Sequence, residues 1–542
     1  MKGKTAIAKI IKMEGVEHLI CFPQNRIIEP AVSEGIRVIK TRTERVAVNI
    51  ADGFTRASFG ERNGVCLMQW GPGAENAFSG VAHAFADSVP ILVLPGGNPR
   101  RRTLFPYFMA TPNYRGVTKW VDNINFADRV PEMMRLAFNY LRNGRPGPVM
   151  LELPSDVAEE EFDDAKFQYQ PVKRYRSCGD PDDVREIARM LLAAKSPVIR
   201  AGQGVLYAQA WDELRELAEW LQIPVYTTMN GKSAFPENHP LSLGTGGRSR
   251  PEAVKHFQNK ADLIFAIGSS CTREVFTTPI PDGKAIIQTT IDERDINKDY
   301  SVAHAVIGDA KLVLQQLISE VKNQTSNERR QNNALIREIK AVKDEWWKEW
   351  MPKLTSEEVP INPYRVIWDI AQALNEKETI ITHDSGNPRD QMLPFYQSNT
   401  PGSYIGWGKS TTLGQGLGLV MGAKLARPDK ICVNFMGDAA FGMVGMDFET
   451  AVREKIPIIT IVLSNAVLGG YQEQYPLAAE RYNFLAVSGD YAKIAEGLGG
   501  YTERVVHPKD IIPAIKRARQ ANESGKAALI EIITREENAL SM

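Results

Sequence analysis

The chain has 542 residues, and its 65 Lys and Arg balance 65 Asp and Glu, so the net charge is zero with histidine neutral. That balance argues against a nucleic-acid or anionic-membrane binder, which recruits its partner through a basic surplus. Hydrophobic residues at 43% and charged residues at 24% exclude disorder as the default, and the length allows about three or four domains of about 150 residues.

In chain order, the N-terminal MKGKTAIAKIIKMEG breaks its apolar character at Lys9 and Lys12. No run of about 18 apolar residues follows, so the expectation is a cytoplasmic enzyme. Short apolar runs read as buried strands at Val89–Pro95, Pro148–Leu153, Pro197–Ala201, Leu263–Gly268, Ile286–Ile291, Ile431–Met436 and Ile456–Leu463, with helix-patterned segments between them. Strands buried on both faces lose the apolar/polar alternation, which points to parallel sheets covered by helices and an α/β fold class. A polar, proline-punctuated stretch between Asp156 and Asp183, and a charged helical stretch from Lys322 to Pro360, set expected domains at 1–165, 183–321 and 360–542. The second stretch reads as a solvated helix that carries the chain across the surface. Five scattered cysteines without C-x-x-C, and seven dispersed histidines without H-E-x-x-H, speak against a disulfide framework or a zinc site.

In the last third, ICVNFMGDAAF (431–441) is an apolar run that stops at Gly437-Asp438, with small residues at Ala439 and Ala440. An acid at the carboxyl end of a parallel strand sits where open sheets bind ligands, and small residues let the next helix's amides face a phosphate. An acidic helix cap is the structural alternative. The next run ends in Ser464-Asn465-Ala466-Val467-Leu468-Gly469-Gly470, placing Asn465 27 positions after Asp438, a gap that one helix can fill. Two hard oxygen donors on adjacent strand ends suit Mg²⁺ beside a substrate phosphate.

This G-D-x…N pattern, with KSTTLGQGLGLVMGA (409–423) upstream, resembles the thiamine-diphosphate-dependent enzymes of the acetolactate synthase and benzoylformate decarboxylase group. The resemblance implies three doubly wound domains: pyrimidine-binding, central and diphosphate-binding. It implies Asp438, Asn465 and the Val467 carbonyl as Mg²⁺ ligands and Leu413 as the wedge that bends thiamine diphosphate. Gly386, Asn387, Thr411, Gly437, Ala439, Ala440, Leu468, Gly469 and Gly470 are the other implied cofactor contacts. Ala439 and Ser464 stand where the family usually has glycine and asparagine, and neither change removes a ligand.

TRTERVAVNIADGFTRASFG (41–60) is similar to the family's activating-glutamate segment and places Glu44 on that carboxylate. The cofactor needs such a carboxyl hydrogen-bonded to a pyrimidine nitrogen. Residues 67–97 and 144–157 resemble the rest of the same domain, and the family's arrangement implies a homodimer or homotetramer with active sites between subunits. The middle third is similar to the central domain, which in some relatives binds FAD or ADP. Asp292 could hold a ribose there, but a strand-end acid is as often a cap, and the sequence weighs against a nucleotide.

The implied reaction makes or breaks a C–C bond next to the carbonyl of a 2-oxoacid or related donor, with acetolactate synthase-like carboligation as the leading reading. Gln69 stands where benzoylformate decarboxylase relatives place a histidine, so it and Tyr471 are candidate catalytic residues. Gln472, Gln474, Tyr404 and Trp407 suggest a pocket of aromatic and amide character. Phe105-Pro106-Tyr107 departs from the Phe-Gln-Glu of acetolactate synthases. A 2-hydroxyacyl-CoA lyase, or an enzyme like oxalyl-CoA decarboxylase, is the rival: Arg100-Arg101-Arg102 could hold CoA phosphates, although the tail after Thr534 is short for closing over a thioester. A non-catalytic thiamine-diphosphate binder would not need Glu44.

Overall fold

The computed structural model describes residues 1–102 and 106–542. Three parallel six-stranded sheets follow one another along the chain, with helices interleaved. The first holds β1 (His18–Cys21), β2 (Arg37–Lys40), β3 (Val65–Met68), β4 (Leu92–Gly97), β5 (Trp120–Asn123) and β6 (Val149–Pro154), in the order β2-β1-β3-β4-β6-β5. The second holds β7 (Pro197–Ala201), β8 (Val225–Thr228), β9 (Ser242–Gly246), β10 (Leu263–Ile267), β11 (Ala285–Thr290) and β12 (His304–Ile307), in the order β12-β11-β10-β7-β8-β9. The third holds β13 (Thr379–His383), β14 (Tyr404–Ile405), β15 (Ile431–Gly437), β16 (Ile459–Ser464), β17 (Tyr501–Val505) and β18 (Ala528–Ile533), and its order β14-β13-β15-β16-β18-β17 repeats that of the first.

The central strands β3, β7, β10 and β16 are buried along their whole length, as continuous apolar runs require when helices cover both faces. Crevices form outside the carboxyl ends of such strands where the strand order reverses. The reversals lie between β1 and β3, between β7 and β10, and between β13 and β15.

The first and third units share one apolar core that runs from Ile20 and Val48 to Leu417, Met421 and Val462. Its seam is the crossing of helix Glu44–Ala57 with helix Gln415–Ala426. A Cβ at Gly53 would stand 2.1 Å from the Leu419 carbonyl oxygen, and one at Gly422 2.0 Å from that of Ile50. Only glycine lets the two backbones approach this closely.

Beside the seam lies a buried charge network. Arg56 donates to Asp52, to Asp87 Oδ2 at 3.0 Å and to the Gly406 carbonyl at 3.2 Å, and His83 Nδ1 stands 3.3 Å from Asp52 Oδ2. Burial pushes both carboxyls up, but the Arg56 charge, with His83, overrides it and holds them below the usual range. Depressed folded-state pKa values make this stabilisation present above the ordinary carboxylate range and lost as pH falls through the lowered values. Removing one member strands buried charge, so Arg56→Met is expected to cost about 3–5 kcal/mol, read as a lowered unfolding midpoint in calorimetry.

The charged stretch before the third unit is helical, as expected, but it does more than cross the surface. Helix Asn333–Leu354 buries Ile339, Trp346, Trp350 and Leu354, and the Trp346 ring stacks on Phe395 at 4.8 Å. No helix among the described residues is long and apolar enough to cross a membrane.

Candidate active site

The third sheet builds a cradle at its point of reversal. After β13, Asp384 turns its carboxylate to the glycine-rich loop and accepts from the N–H groups of Gly414 and Gly416, each at 2.8 Å. Burial pushes this carboxyl above the usual range against those hydrogen bonds. The Leu413 carbonyl accepts from the guanidinium of Arg45, so Leu413 is held from both sides of the seam. Gly386 takes φ +87° and opens helix Asn387–Phe395, whose first turn lies against the end of β15: a Cβ at Gly437 would meet Pro388 at 3.7 Å.

Asp438 heads helix Asp438–Val444 directly after β15. Its Oδ1 accepts from Ala439 N at 2.8 Å, and its Oδ2 accepts from Asn465 N at 3.1 Å and Ala466 N at 2.9 Å. The ends of β15 and β16 are thus tied through one carboxylate. Burial pushes that carboxyl up, and the backbone donors oppose the shift. Asn465 Oδ1 accepts from Val467 N at 3.1 Å across a turn in which Ala466 takes φ +61°. The gap between Asp438 and Asn465 is filled by two short helices, Asp438–Val444 and Phe448–Arg453, with a 3-10 turn between them, where one helix was expected.

The turn after Asn465 folds back over the cradle. Leu468 N donates to the Leu485 carbonyl at 2.8 Å, Gly470 N donates to Glu536 Oε1 at 3.0 Å, and a Cβ at Gly469 would stand 3.2 Å from Asn387 Nδ2. Gly437 thus lies against the first turn of the helix that Gly386 caps, Asp438 is tied to Ala439 and Asn465, Asn465 to Val467, and Gly469 approaches Asn387, while Thr411 lies half-buried two residues before Leu413. The donor set of one carboxylate, one amide oxygen and backbone carbonyls fits a hard cation with a diphosphate.

The other expected residues lie at the reversal of the first sheet. Glu44 opens helix Glu44–Ala57 behind the cap Thr43, whose hydroxyl donates to Asp447 Oδ2 at 2.8 Å. Glu44 is 4% exposed as a residue, and its carboxylate accepts from Asn76 Nδ2 at 3.3 Å. Gln69 follows β3 at the reversal of the first sheet, and a Cβ at Gly73 would stand 2.9 Å from Gln69 Cβ and 3.0 Å from Glu44 Oε1. Gly73 thus lets Glu44 and Gln69 share one corner.

Two residues expected around the substrate, Trp407 and Tyr404, are core residues. Trp407 is fully buried, donates to the His383 carbonyl at 2.9 Å and stacks on the His383 ring at 5.0 Å. Tyr404 is in the core with the Lys232 ammonium 5.2 Å from its ring. Both side chains are packing elements behind the cradle, because β14 pairs with β13 and turns them inward. Tyr471 is exposed and stacks on Tyr475, and Gln472 donates to Glu536 Oε2 at 2.8 Å. Arg100 is committed to Asp156, Glu160 and the Asn125 carbonyl. Phe105 lies outside the described residues.

A separate cavity of about 1440 Å³, its open mouth included, occupies the reversal of the second sheet, outside β7 and β10. Arg200, Tyr207, Thr289, Asp295 and Lys409 line it, with Arg145 from the first unit. The buried Arg200 guanidinium bonds neutral oxygens: Ser269 Oγ, Tyr226 Oη and the Thr278 carbonyl. The hydroxyl of Thr289, a fully buried residue of the wall, has no hydrogen-bond partner among the described residues. Asp292 takes the capping role, accepting from Arg294 N at 3.1 Å and pairing with the Arg294 side chain.

Known proteins match these units in the same order. Residues 1–125 match the thiamine pyrophosphate enzyme N-terminal TPP binding domain, 184–317 the central domain and 384–532 the C-terminal TPP binding domain. A probable acetolactate synthase large subunit of Methanocaldococcus jannaschii is 33% identical across 100% of this chain and 93% of its own length. The chain belongs to the thiamine pyrophosphate enzyme family. This thiamine-diphosphate-dependent enzyme is also similar to acetolactate synthase isozyme 3 large subunit of Escherichia coli K12, at 25% identity over 98% of the chain and 94% of the relative. Glyoxylate carboligase of Escherichia coli O157:H7 is 29% identical over 100% of the chain and 94% of its own length. Asp384, Arg45 and Glu536 are the site residues that sequence reasoning missed. Asp384 carried a readable signal, since Asp384-Ser385-Gly386, like Asp438-Ala439-Ala440, is an acid followed by two small residues.

Proposed function

We propose that the enzyme is a cytoplasmic, acetolactate synthase-like carboligase that decarboxylates a 2-oxoacid and joins the remaining fragment to a second carbonyl. The observation that carries the reading is Glu44, a buried carboxylate held beside Gln69 and Asn76 at the reversal of the first sheet. A protein that only stored the cofactor would have no need of it. When bound, thiamine diphosphate supplies a carbon nucleophile and a sink for the charge left by C–C cleavage. Asp438, the Asn465 amide oxygen and the Val467 carbonyl would hold Mg²⁺. The N-terminal amides of the helices that begin at Asn387 and Asp438 would face the diphosphate. Leu413 would support the bent cofactor, Glu44 would hold a proton at its pyrimidine nitrogen, and Gln69 and Tyr471 would contact substrate.

The sites are proposed to lie between subunits of a homodimer or homotetramer. Met443 and Met446 beside Asp438, and Phe78 on the helix that follows Gln69, are exposed and offer apolar area for a second copy. The central cavity is proposed as the site of an anionic ligand of the nucleotide class, such as FAD or ADP. It lies at a point of strand reversal, and Arg200 there spends its donors on neutral oxygens. Four of the five free thiols are buried, which suits a reducing compartment.

The test is incubation with pyruvate, thiamine diphosphate and Mg²⁺, followed by mass spectrometry. Acetolactate with one CO₂ per two pyruvates consumed is the expected product. Aldehyde and CO₂ alone, or formyl-CoA released from a 2-hydroxyacyl-CoA, would overturn carboligation in favour of a decarboxylase or a lyase. The commitment of Arg100 to Asp156 and Glu160 already disfavours the CoA reading.

A further inference from the structure

Lys409 connects the central cavity to the cofactor cradle. Its ammonium reaches the cavity wall and donates to Ser270 Oγ at 3.3 Å, on the loop after β10. Its backbone N–H donates to Asp87 Oδ1 at 3.3 Å, which ties it to the Arg56 network. Four residues later the Leu413 carbonyl is gripped by Arg45, and Gly414 N donates to Asp384 Oδ1. Between these fastenings Ser410, Thr411 and Thr412 are half-buried, and the hydroxyls of Ser410 and Thr412 pair with each other at 3.3 Å. Three residues cannot absorb much slack. Where Lys409 sits therefore limits where Ser410, Thr411 and Thr412 can sit between it and Leu413.

Among the described residues no carboxylate pairs directly with the ammonium, and Asp87 and Asp295 act on it only at longer range. Arg145 comes from the first unit, Lys298 and Asp295 from the central unit, and Asp87 from the first. Asp295 is already shared by Arg145 at 2.6 Å and Lys298 at 3.4 Å, and Asp87 is taken by Arg56 at 3.0 Å. Burial first, then Arg145, holds the Lys409 ammonium down to about 8. A cation in this setting gains from an incoming anion the direct partner that neither Asp87 nor Asp295 provides.

We propose that Lys409 is a positioning residue that couples the two sites: an anionic ligand in the central cavity engages its ammonium and thereby fixes the Ser410–Leu413 segment for thiamine diphosphate. The proposal rests on the readings of the cradle as the cofactor site and of the cavity as a nucleotide-class site. A ligand that orders the segment lowers the cost of ordering it for the cofactor, and by linkage the effect is reciprocal.

The experiment measures thiamine diphosphate affinity with Mg²⁺ by equilibrium dialysis, alone and with saturating FAD or ADP, for the wild-type enzyme, Lys409→Met and Lys409→Arg. In the wild type the nucleotide should tighten cofactor binding by at least about fivefold, the lower end of ordinary site–site coupling, and the cofactor should tighten nucleotide binding equally. Lys409→Met should bind both ligands yet lose that mutual effect, and Lys409→Arg should keep part of it. A lysine that merely tethers the domains would change cofactor affinity by the same factor with and without nucleotide, which would overturn the proposal. Independent or competitive binding in the wild type, or no binding of either FAD or ADP, would overturn it as well. Failure of thiamine diphosphate itself to bind would instead overturn the cradle reading. An effect of FAD without one of ADP would assign the coupling to the flavin end and not to the diphosphate.

Discussion

Glu44→Gln is expected to lower turnover by about 10²–10⁴-fold, the range that a positioned proton-transfer group contributes. The substitution keeps the size and the oxygen that accepts from Asn76 Nδ2, so the helix start behind Thr43 should survive and thiamine diphosphate should still bind. What glutamine cannot do is hold and release a proton at a ring nitrogen. Binding and chemistry therefore separate cleanly: dialysis should report cofactor affinity within about twofold of wild type, while kcat collapses. Exchange of the cofactor's C2 proton, followed by NMR, gives a direct second readout and should slow in step with kcat. Glu44→Asp withdraws the carboxyl by one methylene in a corner where Gly73 already sets the spacing to Gln69, and it should fall between the two. Retention of kcat within tenfold in Glu44→Gln would remove the proposed role.

The central strands were the legible part of the fold. Pro197–Ala201 is β7 as predicted, and Ile431–Met436 differs from β15 only by its last residue. Strands buried on both faces leave a continuous apolar run, and that signal needs no tertiary context. The edge strands were not legible for the same reason. β5 reads WVDN and is half-buried throughout, and β14 is only Tyr404-Ile405. Neither is long or apolar enough to stand out from loop. The site divides in the same way. Asp438 and Asn465 sit at the ends of conspicuous strands, and their spacing is what singled them out as candidates. Asp384 acts through the backbone amides of Gly414 and Gly416, and Arg45 acts on a carbonyl 368 positions away; both roles depend on how the first unit docks on the third. Trp407 shows the opposite error. An aromatic residue near a motif suggests a substrate contact, but its place beside β14 turns it onto the fully buried His383.

Asp438→Ala should cost more than about 100-fold in Mg²⁺-dependent thiamine diphosphate affinity, beyond what changes in the second sphere of a metal site usually cost. It should also weaken the fold, because the N–H groups of Ala439, Asn465 and Ala466 lose their acceptor; about 1–3 kcal/mol is the cost of stranding such donors. Asp438→Asn separates the two effects. Its one amide oxygen can keep Asn465 N and Ala466 N while its amide nitrogen faces the Ala439 N–H, so thermal stability should fall by less than in Asp438→Ala while cofactor affinity falls about as far, since the charge that balances a divalent cation is gone. Equal losses of stability and affinity in both variants would point to a purely structural carboxylate. Paired with Glu44→Gln, the substitution also decides where each site is assembled. When sites lie between subunits, a mixed dimer of the two inactive chains carries one site with both substitutions and one site with neither. Random mixing should then restore about a quarter of wild-type activity, because half the dimers are mixed and each has one intact site of two. Chains that complete their own sites would restore none, and Glu44 would then have to serve the cradle of its own chain.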